Sequence, residues 1–530
     1  MNKTIKYILL LIICLGILIL FLSSSFFAEL NQDEGWYLYA ARLASQGQKP
    51  FVDFAYTQGP VMCYVYSIFT PLINHGGIFA GRIITAIFGI FATILSAYFA
   101  TRCVKPENKS NAFTVTLALC GLNLFYISFC TIVKTYAICA CFIMSAIIFI
   151  SFIQENNKKN CLFLLLSGIF LGLATSVRVS AGIALPIIFF GLLIKELKLK
   201  KQLLPSLIQP MFFTIGAGLT GAIVFLPLYI KSPEAFRFFV FEYHAARAVP
   251  ELFTLLAYKV GFLSRFFSGT FVVSILIITA IVIKLFKLKK SNTPCFAFTI
   301  SWIVLLGISL LHFSAAFPYD DYQIIVYPLM TSIATIAMLN VFSEKKHINA
   351  LTYNILIITA IFAMSSPKLQ EWFIVRDRIW WPIKEEYPLQ TLEKAANTIN
   401  ELKTNNLLLT QDAYLAIETG MDLPPNMALG PFSYYPDMPT EKAATLHVLN
   451  KQMLVAMLNN TDASVAAISE YGFAIECPDV SPSPDDERQN FINIIDSRYS
   501  LTTTISNFGQ AYTELDIYKL KAAEPQPKEL

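Results

Sequence analysis

Apolar residues come in runs of about 20 over the first 366 positions, the length an α-helix needs to cross a bilayer. About eleven such runs can be marked, near 6–28, 78–101, 111–130, 132–153, 161–177, 179–194, 205–230, 268–286, 296–316, 322–342 and 349–366. The first resembles a signal peptide in length. It lacks a small-residue cleavage site and more spans follow, so it is expected to be retained. Polar residues mark the short loops between runs. Lys3 and Lys6, then Arg102, Lys105 and Lys109, then Lys158 and Lys159, then Lys195, Lys198, Lys200 and Lys201, then Lys284, Lys287, Lys289 and Lys290, and finally Lys345 and Lys346 all fall on one side of the membrane. The positive-inside rule makes that side the cytoplasm, so the N-terminus is expected inside and the C-terminus outside.

Three segments lie outside in this topology: 29–77, 231–266 and the tail. In the first, Gly35–Gln46 has a helical pattern, with Trp36, Leu38, Tyr39, Ala40 and Leu43 free to face lipid, and Pro60–Ile73 is apolar but short. Both are predicted to be interfacial helices. Beyond 367 the pattern changes. Leu389–Leu402 is an amphipathic helix, Asn406–Thr410 and Ala463–Ile468 are strands, and Asp412 caps a helix ending at Gly420. Ser481–Glu487 reads as a loop and Ala522–Leu530 as disordered. The expected architecture is an all-α polytopic membrane domain over 1–367 and an α/β domain over 368–530.

Composition agrees with a membrane protein: 55% of the 530 residues are hydrophobic and 14% charged, against ~25% charged in a soluble domain. The net charge of +4 is modest, and the Lys and Arg cluster in short loops rather than along one face, which gives nucleic acid no basic surface. The ten cysteines form no C-x-x-C pair and have no histidine at metal-ligand spacing, so they are expected to be small packing residues.

Candidate chemistry gathers on the outer side. Asp33 and Glu34 follow the first span, where a carboxylate needs water or a cation; a helix cap is the plainer account of the same residues. Cations at a similar depth are Arg82, Lys134, Arg178, Arg247, Lys259 and Arg265. They are on the side poor in positive charge, and phosphate recognition or headgroup snorkelling would each explain them. EYHAAR supplies Glu242, His244 and Arg247. YDDYQ opens the tenth run with Asp320, Asp321 and Tyr322. No cofactor is demanded by these motifs; a divalent cation at the two aspartates is the one candidate. In the tail, GPFSYYPDM is either a surface that stacks on sugar rings or a buried turn.

The segment NQDEGWYLYAARLASQGQKPFVDFAYTQGPVMCYVY resembles the first outer loop of the GT-C glycosyltransferases, and within them the family 39 and family 83 group. Three features carry the resemblance in order: an Asp-Glu pair after the first span, an amphipathic helix, and an aromatic-Pro motif leading into a second helix. It is specific over 31–66 and architectural over about 1–370. It implies a GT-C fold and transfer of a sugar from a polyprenyl phosphate, in a bacterial inner membrane undecaprenyl phosphate, to a glycolipid or protein acceptor at the periplasmic face. Asp33 would be the base and Glu34 would orient it, with inversion at the anomeric carbon. Arg82, Lys134, Arg178, Arg247, Tyr56, Gln58 and Tyr322 would bind the donor phosphate and sugar. The chain departs from the group at Gln58-Gly59-Pro60, where many relatives have Lys-Pro, and at Lys134-Thr135-Tyr136, where some have an acid. A transporter or flippase of lipid-linked glycans, or a ligase, is the competing class. The first would favour inverted repeats, and the second a large central outer loop; neither feature is evident.

Overall fold

The computed structural model describes residues 3–155, 157–245, 251–286, 295–341, 345–364, 386–471, 473, 483–510 and 512–521. The predicted tail 522–530 lies outside them. An apolar helix occurs at every predicted run. Six are long and apolar enough to cross a membrane: Thr4–Phe27, Thr70–Arg102, Asn160–Val177, Val179–Lys200, Leu203–Lys231 and Phe296–Ser314. Two bent pairs raise this to eight, and Tyr136–Ser151, Tyr327–Val341 and His347–Ala363 are shorter apolar helices. The chain is therefore a multi-pass membrane protein.

The bends are where the sequence pattern misleads. The run 111–130 breaks at Leu122-Asn123 into two helices at 64°. Asn123 accepts the Tyr126 N–H at 2.8 Å and donates to Gly269 O at 2.9 Å, so the break is capped and tied to a second elbow. That elbow is a 93° bend between Leu252–Gly269 and Phe271–Leu285. Hydropathy sees only length and polarity, and neither break contains a proline. The segment 231–266, a loop by hydropathy, thus holds much of an apolar helix, Leu252–Gly269.

The first loop differs too. Pro60–Ile73 is not one helix: Val61–Ser67 ends, and the helix opening at Thr70 runs through a kink at Gly77 to Arg102. Gly77 has φ 56° and ψ −144°, a combination that only glycine tolerates. The Gln32–Ser45 helix does not face lipid. Trp36, Leu38, Tyr39, Ala40 and Leu43 are all buried, because the helix lies between the C-terminal domain, which bonds Tyr39 through Leu423, and the Val61–Ser67 and Thr70–Arg102 helices, which meet Ala40 through Cys63 and Leu38 through Gly81.

That domain carries a four-stranded sheet in the order β1-β2-β4-β3. Its strands are β1 (Leu408–Leu409), β2 (Val465–Ile468), β3 (Tyr499–Phe508) and β4 (Thr513–Leu520), with β1 and β2 parallel and the other pairs antiparallel. β1, β2 and the Pro388–Leu402 helix lie at the predicted places. The β3–β4 hairpin and the Asp485–Arg498 helix were not foreseen. GPFSYYPDM is a buried turn: Tyr434 and Tyr435 are 1% and 5% exposed, and Tyr434 donates to Glu487 at 2.6 Å.

The short Ala413–Thr419 helix docks the domain onto the first loop. Arg42 donates to the carbonyls of Ala416, Ile417 and Met421 at 3.0–3.2 Å, closing that helix's C-terminal end. Tyr39 Oη accepts the Leu423 N–H at 2.9 Å. Glu418 accepts the Ile78 N–H at 2.7 Å, capping the helix just past the Gly77 kink. A Cβ on Gly35 would lie 2.2 Å from the Tyr414 backbone nitrogen. Gly35→Ala is therefore expected to destabilise the protein by about 1–3 kcal/mol, read as a lower thermal midpoint of the full chain in detergent.

Asp412 opens the same helix, fully buried, with Tyr414 donating to it at 2.6 Å. Burial pushes its carboxyl up to about 6. Its folded value thus exceeds the unfolded one of about 4, so the stability it contributes is full below about pH 4 and lost as pH rises through 6. Melting temperature across pH 4–8 is expected to fall over that window, and Asp412→Asn to flatten the fall.

Candidate active site

Asn31 starts the site by stopping the coil. Its side chain accepts the Asp33 N–H at 3.1 Å, and its own N–H donates to Glu34 at 3.0 Å, a reciprocal cap that begins the Gln32–Ser45 helix. Two adjacent carboxylates then lie in the first turn, where the helix dipole favours negative charge, and they point to different partners.

Glu34 points inward and is fully buried with Arg82. Arg82 sits past the Gly77 kink, on the helix that runs beside the first. Its Nε donates to Glu34 Oε2 at 2.8 Å and its Nη2 to Oε1 at 2.7 Å. The remaining donors go to the carbonyls of Ser25, Ala28 and Glu29 at 2.7–3.2 Å, at the end of the first span. All five N–H groups of the guanidinium are engaged, leaving none for a ligand in this arrangement. Glu34 also accepts the Val133 N–H at 3.2 Å. It thereby holds the Ile132–Thr135 segment between two helices, the segment that presents Lys134.

Asp33 points the other way and is 23% exposed at its side chain. The Lys134 ammonium lies 2.9 Å from its Oδ2, and Trp36 donates to Oδ1 at 3.2 Å. The same ammonium is 3.9 Å from Asp321, which also accepts the Tyr136 hydroxyl at 2.9 Å. Arg178 ends the Asn160–Val177 helix in an extended conformation. It donates to Thr135 at 3.1 Å and stands over the rings of Tyr136 and Tyr322, 4.9 and 4.5 Å from their centroids. Asp320 pairs with Arg265 at 3.0 Å; burial and then the Asp321 charge push its carboxyl up. Among the described residues, Asp320 Oδ2, Asp321 Oδ1 and Arg178 Nε are buried with no hydrogen-bond partner. Unmet polar atoms of this kind, gathered in one region, mark a place where a ligand can complete the bonding.

The structure thus joins Asp33, Lys134, Arg178 and Tyr322, from four separate stretches of chain, and gives Glu34 and Arg82 to each other. Tyr56 packs edge-on against Trp36 and Tyr37. Gln58 is half-buried beside Gly59, where a Cβ would lie 2.1 Å from Ser176 O, two residues before Arg178. His244 bonds Thr57 O at 2.7 Å. Lys259 closes the end of the Phe296–Ser314 helix through the carbonyls of Phe313 and Ala315. Arg247 lies outside the described residues. No group of three or more His, Cys, Asp or Glu suited to a metal ion occurs among the described residues.

Two members were missed. Tyr136 stood out only as part of an altered motif. His312 bonds Ser180 at 3.1 Å and Gln323 at 3.2 Å beneath the Tyr322 ring. A single histidine near the end of an apolar run was the only signal for it.

Residues 57–230 match the family model described as dolichyl-phosphate-mannose-protein mannosyltransferase, a match that begins beyond Asp33 and Glu34. No curated protein sequence matches the chain. Among solved structures, ArnT from Cupriavidus metallidurans bound to undecaprenyl phosphate is 13% identical with a TM-score of 0.62, over 97% of this chain and 99% of that one. Its apo state gives 14% and 0.61, over 99% and 100%. The Archaeoglobus fulgidus oligosaccharyltransferase tethered to an acceptor peptide with an NVT sequon gives 12% and 0.50, over 95% and 73%. The fold is that of the GT-C glycosyltransferases.

Proposed function

We propose that the chain transfers a sugar from a polyprenyl-phosphate donor to an acceptor hydroxyl, with inversion and with Asp33 as the base. The observation that carries this reading is the Asp33–Lys134 pair, one carboxylate and one cation 2.9 Å apart at the start of a capped helix. This transfer needs one carboxylate, because the phosphate leaves as a stable anion, whereas hydrolysis of a glycoside needs a second carboxyl as acid. It also needs a cation where negative charge develops on the leaving group. A donor phosphate beside Lys134 draws the ammonium from Asp33, whose oxygen is then free to accept the hydroxyl proton.

Arg178, held between two tyrosine rings, is the second cation for the phosphate. Tyr322, Tyr56 and Gln58 are assigned to the donor. Glu34 and Arg82 act as positioning residues: their bonds to the Val133 N–H and to the end of the first span set the distance between Asp33 and Lys134. Undecaprenyl phosphate is the proposed carrier, in keeping with what the ArnT structure holds. The acceptor is a lipid A, a lipopolysaccharide core, another envelope glycan or a protein, at the periplasmic face of a bacterial inner membrane. The lysine-rich loops on one side favour that orientation.

Mass spectrometry of envelope glycolipids and glycoproteins tests the reading. One sugar mass is expected to vanish on gene deletion and to return with the wild-type gene, and the species that lost it names the acceptor. Lys134→Gln is expected to raise the donor KM at least about tenfold, the loss of one charge-assisted contact. An unchanged envelope on deletion would sink the proposal and bring the transporter and ligase classes forward.

A further inference from the structure

Cys103 and Cys295 are 192 positions apart in sequence, yet their sulfurs lie 3.0 Å apart. Cys103 follows the last residue of the Thr70–Arg102 helix, and Cys295 caps the first turn of Phe296–Ser314. Roughly 20 residues of helix, about 30 Å, separate Cys103 from Arg82, so the two thiols are at the opposite face of the bundle from Asp33. Cys103 is partly exposed and Cys295 exposed, so small reagents reach them. The other described cysteines lie within the apolar helices.

Three features distinguish Cys295 from a packing cysteine. It stands at a helix N-terminus, where free N–H groups favour a thiolate. Arg102 is beside it, fixed by its bond to Ser151 O at 3.3 Å and its stacking 4.9 Å from the Phe152 ring. A second thiol is in contact with it. The Cys103 thiol first, against the opposing cost of burial, and then the N–H groups of Phe298 and Ala297 draw the Cys295 thiol down to about 7, while the same contact pushes the Cys103 thiol up. A nucleophilic thiol with a resolving partner is the arrangement that reversible oxidation requires.

We infer that Cys103 and Cys295 form a peroxide-responsive dithiol that closes to a disulfide. The Cys295 thiolate attacks the O–O bond of a hydroperoxide, forming a sulfenic acid and releasing an alcohol or water. The Cys103 sulfur then displaces the sulfenic oxygen as water, and the S–S bond forms. Two thiols lose two electrons and the peroxide gains them; a dithiol reductant returns both thiols by exchange. The bond staples together the far ends of two helices whose other ends carry Arg82 and His312. With the lysine-rich loops inside, this face is cytoplasmic, where thiols rest reduced, so closure reports an oxidant.

The test uses the full-length protein in membranes, with a protease site inserted within 287–294, between the two cysteines. After hydrogen peroxide and cleavage, the halves are expected to run together on a non-reducing gel and to separate with dithiothreitol. Cys103→Ser is expected to abolish the link and to leave Cys295 as a sulfenic acid that dimedone labels. Halves that separate after peroxide would overturn the inference, as would a link that persists in Cys295→Ser.

Discussion

Asp33→Asn is expected to lower the rate of sugar transfer by about 10²–10⁴-fold, the usual contribution of a positioned base, while leaving the protein folded. The local hydrogen bonding survives the change. An asparagine keeps an oxygen for Trp36 Nε1 and does not touch the Asn31 cap, whose bonds run through the Asp33 and Asn31 N–H groups. What is lost is the ion pair with Lys134, whose side chains are 11% and 23% exposed, a loss that falls between the about 1 kcal/mol of a surface pair and the about 3–5 kcal/mol of a fully buried one. Lys134 retains Asp321 at 3.9 Å. Transfer measured with purified protein at matched thermal midpoint reads the two effects apart. Full activity in Asp33→Asn would remove the base from the mechanism.

The second large effect concerns the cation that holds the neighbouring carboxylate, Glu34. Arg82→Met is expected to destabilise the protein by about 3–5 kcal/mol, because it strands the fully buried Glu34 carboxylate without its cation. It also frees the carbonyls of Ser25, Ala28 and Glu29 from the donors they share. Pairing it with Glu34→Leu is expected to recover part of the loss, since an apolar pair of similar volume avoids the stranded charge. Thermal unfolding of the single and double variants in detergent measures both. If Arg82→Met instead melts like the wild type and only donor affinity drops, the arginine is a phosphate ligand, as its position in the sequence first suggested, and the bonding seen with Glu34 is not what holds this part of the fold.

The contrast between neighbouring carboxylates shows where the sequence stops being informative. Asp33 and Glu34 are adjacent and both acidic, and a helix cap at Asn31 or Asp33 is legible in the sequence. Which one is buried depends on where Arg82 arrives, and that depends on the kink at Gly77. The kink in turn is held by Glu418, which comes from some 340 positions away. Lys134 and Arg178 were legible as cations on the wrong side for topology. Their division of labour was not, because it rests on rings and carboxylates contributed by Tyr136, Asp321 and Tyr322.

The sequence by itself determined the apolar helices and their places, the polar domain beyond 367, the charge asymmetry of the loops, and the carboxylate pair after the first span. Each follows from a local rule: bilayer thickness fixes run length, and an unsatisfied helix N-terminus selects a cap at Asn31 or Asp33. The tertiary structure alone decided the two elbows at Asn123 and Thr270, the burial of the Gln32–Ser45 helix under the C-terminal domain, and the separation of Asp33 from Glu34. Those outcomes are set by which distant backbone and charge come within bonding distance. A hydropathy pattern carries no record of such partners, since a buried arginine with five acceptors and an exposed one with none are written with the same letter.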